Sequence, residues 1–190
     1  MTSDSHEINP WKTHASRIVY ENPWIRVVEN DVTNPRGGKG IYGVVHFRNR
    51  AVGVIALDVE DSVWLVGQYR YALNRYEWEL PEGGAPEGEE LEECARRELL
   101  EETGIKAESM DLLLAGVQLS NSVSDEEAYV FLARGLSYHD AVPEPTEQLQ
   151  VCRVPVEEAF AMVDRGELHD SLTVAGLLKL RVDRLLGRHG

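Results

Sequence analysis

Residues Gly83 to Ile105 read GGAPEGEELEECARRELLEETGI, and this stretch decides the fold. After Pro86 the glycine-rich segment gives way to a helical period. Leu91, Ala95 and Leu99 recur at steps of four and share one face that can dock on a core. Glu98, Glu101 and Glu102 stand at i, i+3 and i+4, which gathers three carboxylates on the neighbouring face. Like charges so close repel by a few tenths of a kcal/mol per pair on an exposed helix. A hard divalent cation removes that repulsion and prefers such oxygen donors. Gly104 is placed to close the helix in the left-handed conformation that glycine adopts at no steric cost. Taken alone, a glutamate run describes a solvated helix face as readily as a cation site.

The spacing carries more than the charge. Gly83, Glu89, Arg97, Glu98, Leu99, Glu101, Glu102, Gly104 and Ile105 fill every specified position of the pattern GX5EX7REUXEEXGU, where U is apolar. In this the stretch resembles the Nudix box. The resemblance implies a Nudix fold, a mixed β-sheet sandwiched between helices in an α/β (α+β) arrangement. It also implies Mg²⁺- or Mn²⁺-dependent hydrolysis of a nucleoside diphosphate linked to another moiety.

Composition narrows the surroundings. The 190 residues, 43% of them hydrophobic, suit one domain with a real core and a small appendage. A formal charge of −14 excludes the basic footprint that binds nucleic-acid polymers. A phosphorylated substrate must then be held through metal ions and a few local Arg or Lys residues. No apolar run approaches the length that spans a bilayer, and MTSDSHEINPWKTH lacks the basic and apolar regions of a secretory signal. The expected location is cytoplasmic. Cys94 and Cys152 make no zinc pattern and are expected as small core residues without a disulfide.

Along the chain, residues 17–32 read as extended, broken at Asn22-Pro23, and Asn34 to Gly40 has hairpin-turn composition. IYGVVHFR returns as a strand, giving an antiparallel sheet over residues 1–50 too small to bury both faces. A main domain then spans 51–190. AVGVIALDVE and SVWLVGQYR read as buried strands. EWELPEGG reads as one short strand running into the glutamate-rich helix. Strands follow at 108–119 and 127–134, a loop at 135–147, and a strand in QLQVCRVPV. A helix stops at Gly166, and a last helix runs from about Ser171 to Leu186 with Leu172, Ala175, Leu178 and Leu185 turned to the core.

The segments NPWIRV…GIYGVVHF and QYRYALNRYEWELPEGG resemble the ADP-ribose pyrophosphatase branch, which acts on nucleoside diphosphate sugars. That resemblance implies a homodimer built through the N-terminal sheet, with that sheet exchanged between subunits. It implies metal ligands at Glu98, Glu102, the Glu82 main-chain carbonyl and Glu147, and catalytic carboxylates at Glu101, Glu144 and Glu147. It implies a phosphate or sugar contact from Arg70, and Glu79, Trp24 and Ser122 stand beside it as candidate substrate-binding residues. Trp24 could stack on a base, but an aromatic of this kind is more often a core or dimer contact. The loop Leu119 to Glu126 lacks the proline of relatives selective for ADP-ribose, so GDP-mannose and other nucleoside diphosphate sugars compete as substrates. Two further readings stand beside this one: a Nudix enzyme for nucleoside triphosphates or dinucleoside polyphosphates, and a non-catalytic sensor of ADP-ribose.

Overall fold

In the computed structural model, which describes residues 8–141 and 148–188, the chain forms two compact units. The first combines residues up to 48 with 120–126. Strands β1 (Lys12–Glu21), β2 (Ile25–Thr33) and β3 (Lys39–Phe47) form an antiparallel meander in that order. The Asn22-Pro23 break becomes its first turn, where the Asn22 side-chain oxygen accepts from the amides of Trp24 (2.9 Å) and Ile25 (2.8 Å). Asn34 organises the second turn in the same way, accepting from the amides of Arg36 and Gly38, while Gly37 takes φ 85°. All ten residues of β1 are exposed, and Ile18, Val19 and Tyr20 each show more than half their surface.

The loop 120–126 lies along β3. The Val45 amide donates to the Val123 carbonyl (2.8 Å), and the Tyr42 hydroxyl donates to the Ser122 carbonyl (2.6 Å). Asp125 accepts from the Phe47 amide (3.0 Å) and pairs with His46 Nδ1 (2.6 Å). These contacts extend the small sheet by a short segment drawn from far along the chain.

The second unit holds, among the described residues, the remaining strands and the helices: β4 (Arg50–Ala56), β5 (Ser62–Arg70), β6 (Arg75–Glu79), β7 (Glu82–Ala85), α1 (Leu91–Thr103), β8 (Ile105–Gln118), β9 (Glu127–Tyr138), β10 (Gln150–Pro155), α2 (Val156–Asp164) and α3 (Ser171–Leu185). One sheet runs β7-β4-β9-β8, with β4 and β9 parallel, and the other runs β10-β5-β6. Strand β4 explains the continuous apolar run VGVIA. Val52, Val54 and Ala56 pack with Cys94, Ala95 and Leu99 of α1, while Ile55 packs with Leu172, Leu177 and Leu180 of α3. Helices cover both of its faces, so every position is apolar. The mixed sheet between helices is the expected fold class. Among the described residues no helix is long and apolar enough to cross a membrane.

The structure corrects several boundaries. EWELPEGG is two strands in two sheets, because Pro81 has no N–H to continue a ladder. Pro86 to Glu89 makes a turn, with Gly88 at φ 91°, and α1 starts only at Leu91. Strand β8 begins at Ile105 and β9 continues to Tyr138, through Gly135 at φ 66°. Two register shifts in their ladder, between Leu112 and Val117, break the alternation that marks a strand in sequence. Cys94 is buried as expected, but Cys152 is only partly covered. In α3 the core face is Leu172, Thr173, Gly176, Leu177, Leu180 and Asp183, whereas Leu178 and Leu185 are exposed. The helix turns its polar Thr173 and Asp183 inward, so apolarity alone selects the wrong stripe.

That face has a stability signature. Leu180→Ala should lower unfolding free energy by about 2–5 kcal/mol, and Leu185→Ala, at 81% exposure, by less than about 0.5 kcal/mol. Urea denaturation of the two variants measures the difference.

Candidate active site

Helix α1 ends in the left-handed Gly104 (φ 70°), whose amide donates to the Leu100 carbonyl. Its carboxylates are arranged by one guanidinium. Arg97 donates through Nε and Nη2 to both oxygens of Glu89 (3.0 Å each), and through Nη1 to Glu98 (2.7 Å) and Glu101 (3.2 Å). It reaches the Gly84 carbonyl as well, at 3.3 Å. This planar fork suits several oxygens at once. Arg97 therefore pairs with Glu101 at i+4 and with Glu89 two turns back along the chain. Its hydrogen bonds hold the Glu89 carboxyl below the usual range. Beside it, burial and then the Glu98 charge push the Cys94 thiol up to about 12, so this cysteine is an inert core residue.

Strand β7 meets the helix from the other side. A Cβ at residue 83 would overlap the Glu98 carboxylate, so glycine there is what lets the carboxylate lie against the main chain. Glu102, 4% exposed, accepts from the Glu82 amide (3.0 Å). Glu82 turns its own side chain inward. One oxygen accepts from Arg70 Nη2 (2.7 Å), and Oε2 is buried with no hydrogen-bond partner. Glu79, also buried, binds Arg70 Nε (3.1 Å) and the Gln68 amide group (2.8 Å).

Asp170 completes a second acidic group. Ligand atoms of Glu79, Glu82 and Asp170 all lie within 4.8 Å of one another. Burial, followed by the charges of Asp170 and Glu79, raises the Glu82 carboxyl well above its ordinary value, against the opposing pull of Arg70. Burial raises Glu79 also, countered by Arg70 and Gln68. Sequence reasoning missed Asp170. Its only signal was the preference of Asp for a helix N-cap, which it fulfils by accepting from the Thr173 amide (2.8 Å).

The NUDIX domain model matches residues 47–174. The chain belongs to the Nudix family. Ahead of that Nudix domain, the model of the nucleoside diphosphate sugar hydrolase N-terminal domain matches residues 11–45. The chain is 32% identical over 177 residues to the ADP-ribose pyrophosphatase of Bacillus subtilis (strain 168), covering 92% of this chain and 95% of that one. It is 32% identical over 172 residues to the ADP-ribose pyrophosphatase of Mycobacterium tuberculosis, covering 88% and 82%. Among solved structures, that of an ADP compounds hydrolase superposes with a TM-score of 0.84 at 21% identity, over 97% of this chain and 100% of that one, a likeness of fold.

The other expected Nudix site residues are distributed as follows. Glu98, Glu101 and Glu102 are brought together with the Glu82 backbone by α1 and β7. Arg70 and Glu79 are bound to each other, so the Arg70 fork is turned onto protein carboxylates. Trp24, 69% exposed, lies in the β1–β2 turn, and Ser122 lies in the loop beside β3; both belong to the N-terminal unit. Glu144 and Glu147 fall outside the described residues. Glu98, Glu102 and the Glu82 carbonyl offer only oxygen donors, which suits a hard divalent cation, and the buried Glu82 Oε2 without a hydrogen-bond donor belongs to the neighbouring group of Glu79, Glu82 and Asp170.

A carboxyl raised in the folded state binds its proton more tightly there than in the unfolded chain. Stability from that group is present below the ordinary value of 4.5 and is lost as pH rises. In chelator, Glu82→Gln should therefore become increasingly more stable than the wild type between pH 4 and pH 7. Thermal melts across that range check it, and a pH-independent difference would contradict the assignment.

Proposed function

We propose that this Nudix chain hydrolyses the diphosphate bond of nucleoside diphosphate sugars, ADP-ribose among them. The observation that carries the proposal is the match, nearly end to end, to proteins named ADP-ribose pyrophosphatase, with the N-terminal module of nucleoside diphosphate sugar hydrolases included. Water adds to one phosphorus, the bridging P–O bond breaks, and the products are a nucleoside monophosphate and a sugar phosphate. With ADP-ribose these are AMP and ribose 5-phosphate.

Glu98, Glu102 and the Glu82 carbonyl would hold Mg²⁺ or Mn²⁺, joined by Glu147. Bound there, the cation neutralises diphosphate charge and makes water a stronger nucleophile. Arg97 keeps Glu98 and Glu101 in place through its hydrogen bonds to both. Glu144 is the candidate base for the proton of the attacking water, with Glu101 and Glu147 as the other catalytic carboxylates. Arg70, Glu79, Trp24 and Ser122 are proposed on the substrate side, with Arg70 acting alongside the carboxylates it already binds.

We infer in addition that the active form is a homodimer, with residues 1–50 as its joining element and 51–190 as the catalytic domain. Support comes from the N-terminal sheet, which leaves Ile18, Val19, Tyr20, Trp24 and Ile41 exposed. A second copy of the chain would bury that apolar face. Free Cys94 and Cys152 fit a reducing, cytoplasmic setting.

The deciding experiment is a panel of ADP-ribose, GDP-mannose, UDP-glucose, NADH, a diadenosine polyphosphate and dGTP with Mg²⁺, scored by kcat/KM. Nucleotide sugars should lead. Hydrolysis confined to dGTP or the dinucleotide, or ADP-ribose binding with no turnover, would refute the proposal. Glu98→Gln and Glu102→Gln should each lower kcat by roughly 100-fold or more while circular dichroism stays unchanged. Light scattering at micromolar concentration should give twice the 21.4 kDa chain mass.

A further inference from the structure

Between β6 and β7 the chain leaves one sheet and enters the other within two residues, Leu80 and Pro81. No ladder can satisfy the main chain there, and Leu80 is fully buried, so its polar groups need specific partners. Three bonds supply them. The Leu80 amide donates to Thr173 Oγ1 (2.9 Å), the Pro81 carbonyl accepts from the Val54 amide (2.9 Å), and the Glu82 amide donates to Glu102 Oε2 (3.0 Å).

The first anchor stands out because it comes from a helix outside the Nudix box. Thr173 is fully buried in the first turn of α3, a poor place for a hydroxyl unless it is bonded. Asp170 caps that turn and fixes the threonine by accepting its amide. The rigid helix end thus grips one end of the crossover, and the carboxylate of Glu102 grips the other.

We propose that Thr173 is a positioning residue for the cation centre, acting through Leu80 and Pro81 on the Glu82 main chain and on Glu102. This rests on the reading of Glu98, Glu102 and Glu82 as the metal-holding set. With the crossover pinned at Leu80, the Glu82 amide meets the Glu102 carboxylate and the Glu82 carbonyl is held in one direction. If the pin is lost, the segment gains freedom and the donors no longer converge. The coupling is reciprocal, because a cation that is bound better when the Leu80–Thr173 bond is formed must also stabilise that bond.

Thr173→Val keeps the shape and removes the acceptor, whereas Thr173→Ser keeps the hydroxyl. Mn²⁺ is titrated without substrate, with free Mn²⁺ followed by electron paramagnetic resonance. Thr173→Val should weaken Mn²⁺ binding at least fivefold, and Thr173→Ser should stay within twofold of wild type. At saturating Mg²⁺, the KM of Thr173→Val for a nucleotide sugar should change less than its half-activating Mg²⁺ concentration. A folded Thr173→Val with wild-type Mn²⁺ affinity, or a Thr173→Ser as impaired as the valine variant, overturns the inference.

In case the valine variant does not fold, amide exchange in the wild type gives an independent answer. Adding Mg²⁺ should slow exchange at Leu80 as well as at Glu82, and an unchanged Leu80 amide overturns the proposal. Failure of the wild type to bind Mn²⁺ at all would instead refute the metal-holding set itself, and this inference with it.

Discussion

Mutual repulsion of carboxylates is the constraint to which the site answers. Glu89, Glu98 and Glu101 would repel one another on and beside one helix face. Arg97 holds all three from a single guanidinium, two of the bonds bidentate to Glu89. Because that cation is built in, the three carboxylates are held together by the chain's own charge. Arg70 does the same for Glu79 and Glu82 on the opposite side. The two arginines fix where negative charge is allowed to gather, and the sheets and α3 are packed around that decision.

Balance is incomplete by design of the chain. Asp170 adds a third carboxylate near Glu79 and Glu82, and one Glu82 oxygen is left buried with no donor. Burial and the charges of Asp170 and Glu79 outweigh the Arg70 contact at 2.7 Å, so Glu82 holds a proton more readily than an exposed glutamate does.

Much of this was legible in the sequence, for physical reasons. The helix from Leu91 to Thr103 and its left-handed Gly104 follow from local periodicity and local backbone preference, which a linear reading sees directly. The cross-sheet path of Leu80 and Pro81 was not visible, because nothing local in EWELPEGG says which sheet each side of the proline joins. Strand β9 runs beyond the stretch 127–134 that composition marks, because Gly135, at φ 66°, lets the strand continue past the close-packed Glu108 side chain. The face of α3 was misjudged because its core includes Thr173 and Asp183. Asp170 and Thr173 reach the site only through tertiary packing, which spacing along the chain does not encode.

The loop beside β3 has a consequence for how the molecule is made. His46 and Asp125 are separated by 79 residues, and Tyr42 and Ser122 by 80. During synthesis the three-stranded meander leaves the ribosome well before the segment that completes it. Its edge at β3 must therefore remain open while most of the Nudix domain is still being made, and it closes only after β8 has passed. The N-terminal unit begins before the other but cannot be completed until residue 126 has been made, and through that interval the edge of its sheet is open to another nascent copy.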